Sequence, residues 1–299
     1  MSRKYELVEA SSEHTIGHTF YRVKALRDFG DVHAGDVGGW VEDDTCLSHD
    51  GNAWVYDDAS VYSGARVEGN AKVGDSAMIL SQATIDGDAI VGGRAFISGD
   101  AKIGDWARVY DDASIGARAE ISGQAQVYGF AKIYGFAKIT EQAQVCANAK
   151  VSGGCVHGKA KVSGFSCVYG CPKDGRPEAG FPEVGGCALL TDKAIIHGHA
   201  RILGGRLSKG IFGSTMLITG DYPHEYVIAD LNGNVYTFAC NEKREILVSG
   251  PGIHVNTFKL ADAIKDIEHS NPEAMEIFRA ALELAKLQLA RKEDSNDNK

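Results

Sequence analysis

The sequence predicts an all-β solenoid: a chain wound as a stack of very short parallel strands, with non-repeat segments at both ends. Three observations predict it. An alanine stands at every sixth position from Ala53 to Ala149, seventeen hexads without a miss. Two residues after each of these alanines stands Val or Ile, as in "NAKV", "RAFI" and "QAQV". The stretch "VYDDAS" at 55–60 returns at 109–114, three times eighteen residues later. A fixed short period marks stacked repeats, in which each unit buries its apolar face against the next.

The hexad itself reads as a strand and a corner. In Ala-x-Val the first and third side chains share a face, which is strand alternation. The three residues that follow are rich in Gly, Asp, Ser and Asn, which is turn chemistry. A helix needs apolar residues at spacings of three and four, and a strict six does not supply them. The hexad resembles that of the hexapeptide-repeat, left-handed parallel β-helix proteins. The resemblance implies three hexads to a triangular coil, so that residues eighteen apart stack and the two "VYDDAS" copies belong on one face, three coils apart. Ala and Val or Ile point inward, where a triangular section leaves little room. Tyr56, Tyr62, Tyr110, Tyr128 and Tyr134 each follow the inward aliphatic and are expected outside as a docking surface, with Tyr110 stacked on Tyr128.

Composition excludes several function classes. The 299 residues carry a net charge of −9, with no basic footprint for nucleic acid and no polybasic membrane patch. No run of 18 apolar residues exists, and "MSRKYELVEASSEH" lacks the apolar stretch of a secretion signal, so a cytoplasmic protein is expected. Seven cysteines at irregular spacing fit reduced thiols better than a disulfide framework.

Taken in chain order, residues 1–50 read as an N-terminal β cap, with strand-like alternation, Gly-rich turns and Trp40. The coil is expected over 51–203. Its register slips once, since Val156 follows Val151 by five residues, and Gly154, Ala160 and Ser166 then take the alanine places. A loop at 170–187 interrupts it, and Ala188/Leu190, Ala194/Ile196 and Ala200/Ile202 resume the pattern. That gives about seven to eight coils, a prism on the order of 35 Å long.

The C-terminal segment 204–291 reads as a small α+β module. Asn232-Gly233 between two β-rich runs is a hairpin signal over 225–240, and 244–250 offers a third strand. Thr257 caps a helix over 258–268, and Asn271-Pro272-Glu273 starts a second one reaching about 291. On it Met275, Phe278, Leu282, Ala285 and Leu289 form an apolar stripe for the hairpin sheet or for another subunit. Residues 292–299 form a solvated tail.

Residues 20–44, together with "GNAWVYDDA" at 51–59, resemble the start of YdcK-like hexapeptide proteins and related phage-borne proteins. The resemblance implies a left-handed triangular prism and assembly as a homotrimer. In enzymes of this class it further implies acyl-coenzyme A bound between neighbouring prisms and a histidine general base. Glycine follows the inward aliphatic at Gly74, Gly92, Gly104 and Gly116 but at few other places, a departure from the transferase pattern.

Histidine suits such a base, with a pKa near neutrality and two ring nitrogens. The seventeen regular hexads contain none, but His157 and His197 each follow an inward aliphatic near the loop. They are the candidate catalytic residues, with ordinary exposed histidines as the bland alternative. "HGHA" at 197–200 and Cys155, Cys167, Cys171 and Cys187 lie nearby, yet no CxxC pair is present and no metal is expected. The adjacent acids Asp57-Asp58 and Asp111-Asp112 are expected at corners.

Two functions follow from the sequence. One is a non-catalytic oligomeric scaffold without a cofactor, phage-encoded as the resemblance implies, that docks a host or phage protein. The other is an acetyl-coenzyme A-dependent acyltransferase with His157 or His197 as base.

Overall fold

The computed structural model describes residues 3–10, 18–169, 182–186, 189–197, 201–202, 206–212, 217–218, 226–231, 234–240, 246–249, 279 and 283. They fall into two compact units, Met1–Gly153 and Gly154–Lys299.

In the first unit the hexads wind into a three-sided column. Trp54–Val55, Lys72–Val73, Ile90–Val91, Arg108–Val109, Gln126–Val127 and Gln144–Val145 pair in that order, all parallel. This first face carries both "VYDDAS" copies, as the period of eighteen requires. A second face runs from Ser60–Val61 to Lys150–Val151 and a third from Arg66–Val67 to Lys138–Ile139, by the same step. This is the architecture of the left-handed hexapeptide β-helix. Every repeat alanine is 0% exposed and its Val or Ile partner no more than 1%.

The corners explain the polar half of the hexad. The second residue after each inward aliphatic, from Asp57 to Ala147, has φ between 50° and 71°. That left-handed conformation favours Gly and tolerates Asp, which accounts for the composition there. Aspartate adds a hydrogen bond to the next coil. Asp75, Asp105 and Asp111 accept from the backbone N–H of Gly93, Gly123 and Gly129 at 2.6, 2.9 and 3.0 Å. The second acids of the two pairs are engaged elsewhere: Arg22 donates to Asp58 at 2.8 Å and Arg94 to Asp112 at 2.9 Å.

The N-terminal segment is a meander that turns into the first coil. Strands β1 (Tyr5–Ala10), β2 (Tyr21–Ala25) and β3 (Val37–Val41) pair antiparallel in order. Strand β3 then pairs parallel with Ser60–Val61, and Leu47 bridges to Val67, so coiling begins before residue 51. The alanine rhythm does not announce it because Gly39 and Thr45 stand where the repeat has alanine. A Cβ on Gly38 would lie 2.3 Å from the Val55 carbonyl oxygen, and one on Gly39 2.6 Å from that of Ala59.

Aromatic residues plug the open end, which covers an edge that would otherwise invite pairing. Tyr5 is fully buried, stacked on His49 with ring centres 4.3 Å apart, and its hydroxyl donates to the Leu47 carbonyl at 2.6 Å. Lys4 is buried beside it, its Nζ donating to the Ala53 carbonyl at 2.9 Å.

In the second unit Cys155–Val156, Glu183–Val184, Arg201–Ile202 and Leu217–Ile218 form one parallel sheet. Lys161–Val162 and Cys167–Tyr169 pair with the two halves of Leu189–His197, which pairs in turn with Arg206–Phe212. Two expected boundaries therefore move. Coiling resumes at Glu183, inside the stretch assigned to the 170–187 loop, because Pro182 stands where an alanine would. Parallel pairing also continues to Ile218, past 203. Beyond Glu183 the step shortens from eighteen to seventeen at Leu189/Arg206 and sixteen at Arg201/Leu217, which a fixed-period reading does not follow.

The hairpin is present: Tyr226–Leu231 pairs antiparallel with Asn234–Cys240, and the latter with Ile246–Ser249. Of the two expected helices, Arg279 and Glu283 are helical. The 170–181 segment, the Asn232-Gly233 turn, the rest of both helices with their stripe, and the tail lie outside the described residues. Among the described residues no helix is long and apolar enough to cross a membrane.

Candidate functional site

His157 leaves its strand just after the inward Val156, so its side chain emerges where the chain turns a corner. Its backbone N–H donates to the Val184 carbonyl at 2.8 Å, which fixes its height against the next coil. The imidazole lies over Gly185. A Cβ at 185 would stand 2.4 Å from both Cε1 and Nε2, so glycine there is what admits the ring. Gly158, at φ +67°, makes the left-handed corner that follows.

The ring has one defined partner. His157 Nε2 lies 2.9 Å from Glu183 Oε1, with both side chains about a quarter exposed. A carboxylate only accepts, so the nitrogen facing it carries the hydrogen. Nδ1 of the neutral ring then holds the lone pair. The arrangement is an imidazole oriented by an acid, able to take a proton from an incoming hydroxyl or amine.

Cys155 pairs with Glu183 twenty-eight residues on, instead of eighteen. Glu183 itself escaped the sequence reading because it fell within the assigned loop. The run "PEVGG" at 182–186 could have revealed it, since Glu-Val-Gly-Gly repeats the grammar of strand and corner.

His197 sits elsewhere. It pairs through its backbone with Tyr169 at the end of Leu189–His197, on a different sheet from Cys155–Val156. His157 and His197 thus occupy different corners. Cys155 and Cys167 lie on separate strands and are not joined by a disulfide; Cys171, Cys187 and the stretch 198–200 lie outside the described residues.

The tyrosines divide into two groups. Tyr110 and Tyr128 stack with ring centres 5.0 Å apart and planes 5° from parallel, as their spacing predicts. Tyr134 is 40% exposed. Tyr56 and Tyr62 are taken up by the cap instead. Tyr56 donates to Asp31 at 2.8 Å, and Tyr62 meets Phe20 edge-on at 5.2 Å.

No family model matches the chain. Over 46 residues it is 41% identical to a protein of Escherichia coli (strain K12) named "Uncharacterized acetyltransferase YdcK". The match covers 15% of this chain and 14% of that protein's length. The coils of eighteen and this local likeness agree. The fold is a hexapeptide-repeat β-helix. In a β-helix of this kind flat sheets present side chains at fixed intervals, and few corners depart from the repeat. His157 occupies one of them.

Proposed function

We propose that the protein is an acyltransferase in which His157, held by Glu183, deprotonates an acceptor hydroxyl or amine. The observation that carries this reading is the 2.9 Å contact between Nε2 and the carboxylate. It leaves Nδ1 as the basic nitrogen. The acceptor attacks the thioester carbonyl of an acetyl-coenzyme A donor, the C–S bond breaks, and the coenzyme thiolate leaves with the proton from the imidazolium. Glu183 stabilises the imidazolium while it exists. Acetyl-coenzyme A binding between neighbouring prisms of a homotrimer completes the proposal.

Calorimetric titration of acetyl-coenzyme A into the full chain tests it. Saturable micromolar binding, with thiol release that disappears in His157→Ala, is the expected result; absence of both sinks the reading.

A second reading, a non-catalytic scaffold docking a host or phage protein, is favoured by exposed rings on the column. Trp106 is 61% exposed, Phe130 57% and Phe136 42%. Coenzyme silence together with a stoichiometric protein complex would favour it.

A further inference from the structure

A groove of about 510 Å³ lies in the first unit, between the Gly30-Asp31 turn of the cap and the first face of the column. One wall is a corner column. Asn52, Asn70, Asp88 and Trp106 stand eighteen residues apart, so one side chain appears on each successive coil. Asn52 Nδ2 donates to Asn70 Oδ1 at 3.1 Å, and Asn70 Nδ2 donates to Asp88 Oδ1 at 3.1 Å. This ladder fixes the amide planes. Each amide keeps its second N–H hydrogen, and Asp88 keeps its second oxygen as an acceptor.

The column ends on Trp106, whose indole is 61% exposed at a corner position. Ile90, 42% exposed, contributes an apolar patch beside it. The two cations differ in state. Lys72 is already held by Asp31 at 2.7 Å. Arg108, two residues after Trp106, forms no ion pair among the described residues.

We propose that this groove binds an oligosaccharide carrying an acidic sugar. The exposed indole face suits the C–H face of a pyranose ring. The amides and the Asp88 carboxylate offer donors and acceptors to hydroxyls along the chain, at the coil spacing of about 4.8 Å. That spacing is close to the advance of one sugar unit in an extended chain. Arg108 has a fork of donors suited to a carboxylate. A fully apolar ligand is disfavoured by the amide column. The inference uses only residues of the first unit and stands apart from the His157 reading.

The probes are a galacturonic acid tetrasaccharide and, as neutral control, cellotetraose, titrated calorimetrically into the full chain. The acidic tetramer is expected to bind saturably and to perturb tryptophan emission, because Trp54 is 2% exposed and Trp40 lies under Arg22, whose guanidinium is 4.2 Å from the ring centre. Trp106→Ala is expected to lower affinity at least about tenfold, Trp106→Phe less, and Arg108→Ala is expected to erase the preference over cellotetraose. Thermal melts that match the parent establish that the variants fold. Lack of binding by both probes, or binding unchanged in Trp106→Ala, overturns the site. Equal binding of the two probes by the parent overturns the acidic-sugar assignment.

Discussion

Gly93 and Asp111 occupy the same corner of successive coils, and a Cβ placed on Gly93 would stand 2.5 Å from the Asp111 backbone nitrogen. Gly93 also has φ +65°, a conformation that costs an L-residue about 1–2 kcal/mol. Gly93→Ala is therefore expected to destabilise the protein by at least that amount in denaturant melts. Ala117 already holds φ 57° with a Cβ in place, so Ala117→Gly is expected to be neutral or stabilising. A larger loss for Ala117→Gly than for Gly93→Ala would contradict the corner geometry.

The interior is as narrow as the alanine rows require. Ala101 is 0% exposed, whereas its neighbour Lys102 points to solvent. Ala101→Leu is expected to cost about 1–3 kcal/mol by overpacking. Lys102→Leu changes the same chain by the same residue and is expected to cost little, as equilibrium unfolding of the two variants will report.

Ser166 takes an alanine place in the second unit and is 0% exposed. Its hydroxyl is buried and has no hydrogen-bond partner among the described residues. Leaving such a group unsatisfied costs about 1–3 kcal/mol. Ser166→Ala restores the repeat residue and is expected to raise the melting temperature.

The cap makes stability depend on alkaline pH. Burial lowers the Lys4 pKa from 10.5 to about 8, with the nearby Arg27 charge acting in the same direction. Between about pH 8 and 10 the unfolded chain keeps this proton while the folded chain gives it up, so the Lys4 contribution to stability rises with pH through that window, opposed from about pH 9 by the buried Cys46 thiol, whose pKa is raised. Below the window both states are protonated and the contribution is constant. Above pH 10 burial of the Tyr5 hydroxyl, whose pKa is raised, reverses the trend, because the unfolded chain ionises first. Urea melts at several pH values should show the rise, and Lys4→Met should remove it.

The His157–Glu183 pair predicts a division of labour in the proposed transfer reaction. His157→Ala is expected to lower kcat by about 10²-fold or more, the usual contribution of a general base. Glu183→Gln keeps a partner for Nε2 but removes the charge, so a smaller fall in kcat is expected with KM for acetyl-coenzyme A unchanged. Steady-state kinetics with thiol detection measure both.

The sequence by itself determined the column. Where Ala53 to Ala149 recur at six, every side chain has one available place, because the triangular interior admits only small residues beside a branched one and the corner demands a left-handed residue. Tyr110 over Tyr128 was legible for the same reason, as was His157 at a corner. Tertiary structure alone decided what breaks the period. Gly38 and Gly39 enter the first coil through close backbone approach, which carries no alanine signature. Glu183 meets His157 because Cys155 pairs with a residue twenty-eight positions on instead of eighteen. The Asp31 turn makes a groove against Lys72 because the cap folds back across the first face. Local periodicity encodes contacts between residues a fixed number apart, whereas these contacts depend on where an irregular segment comes to rest.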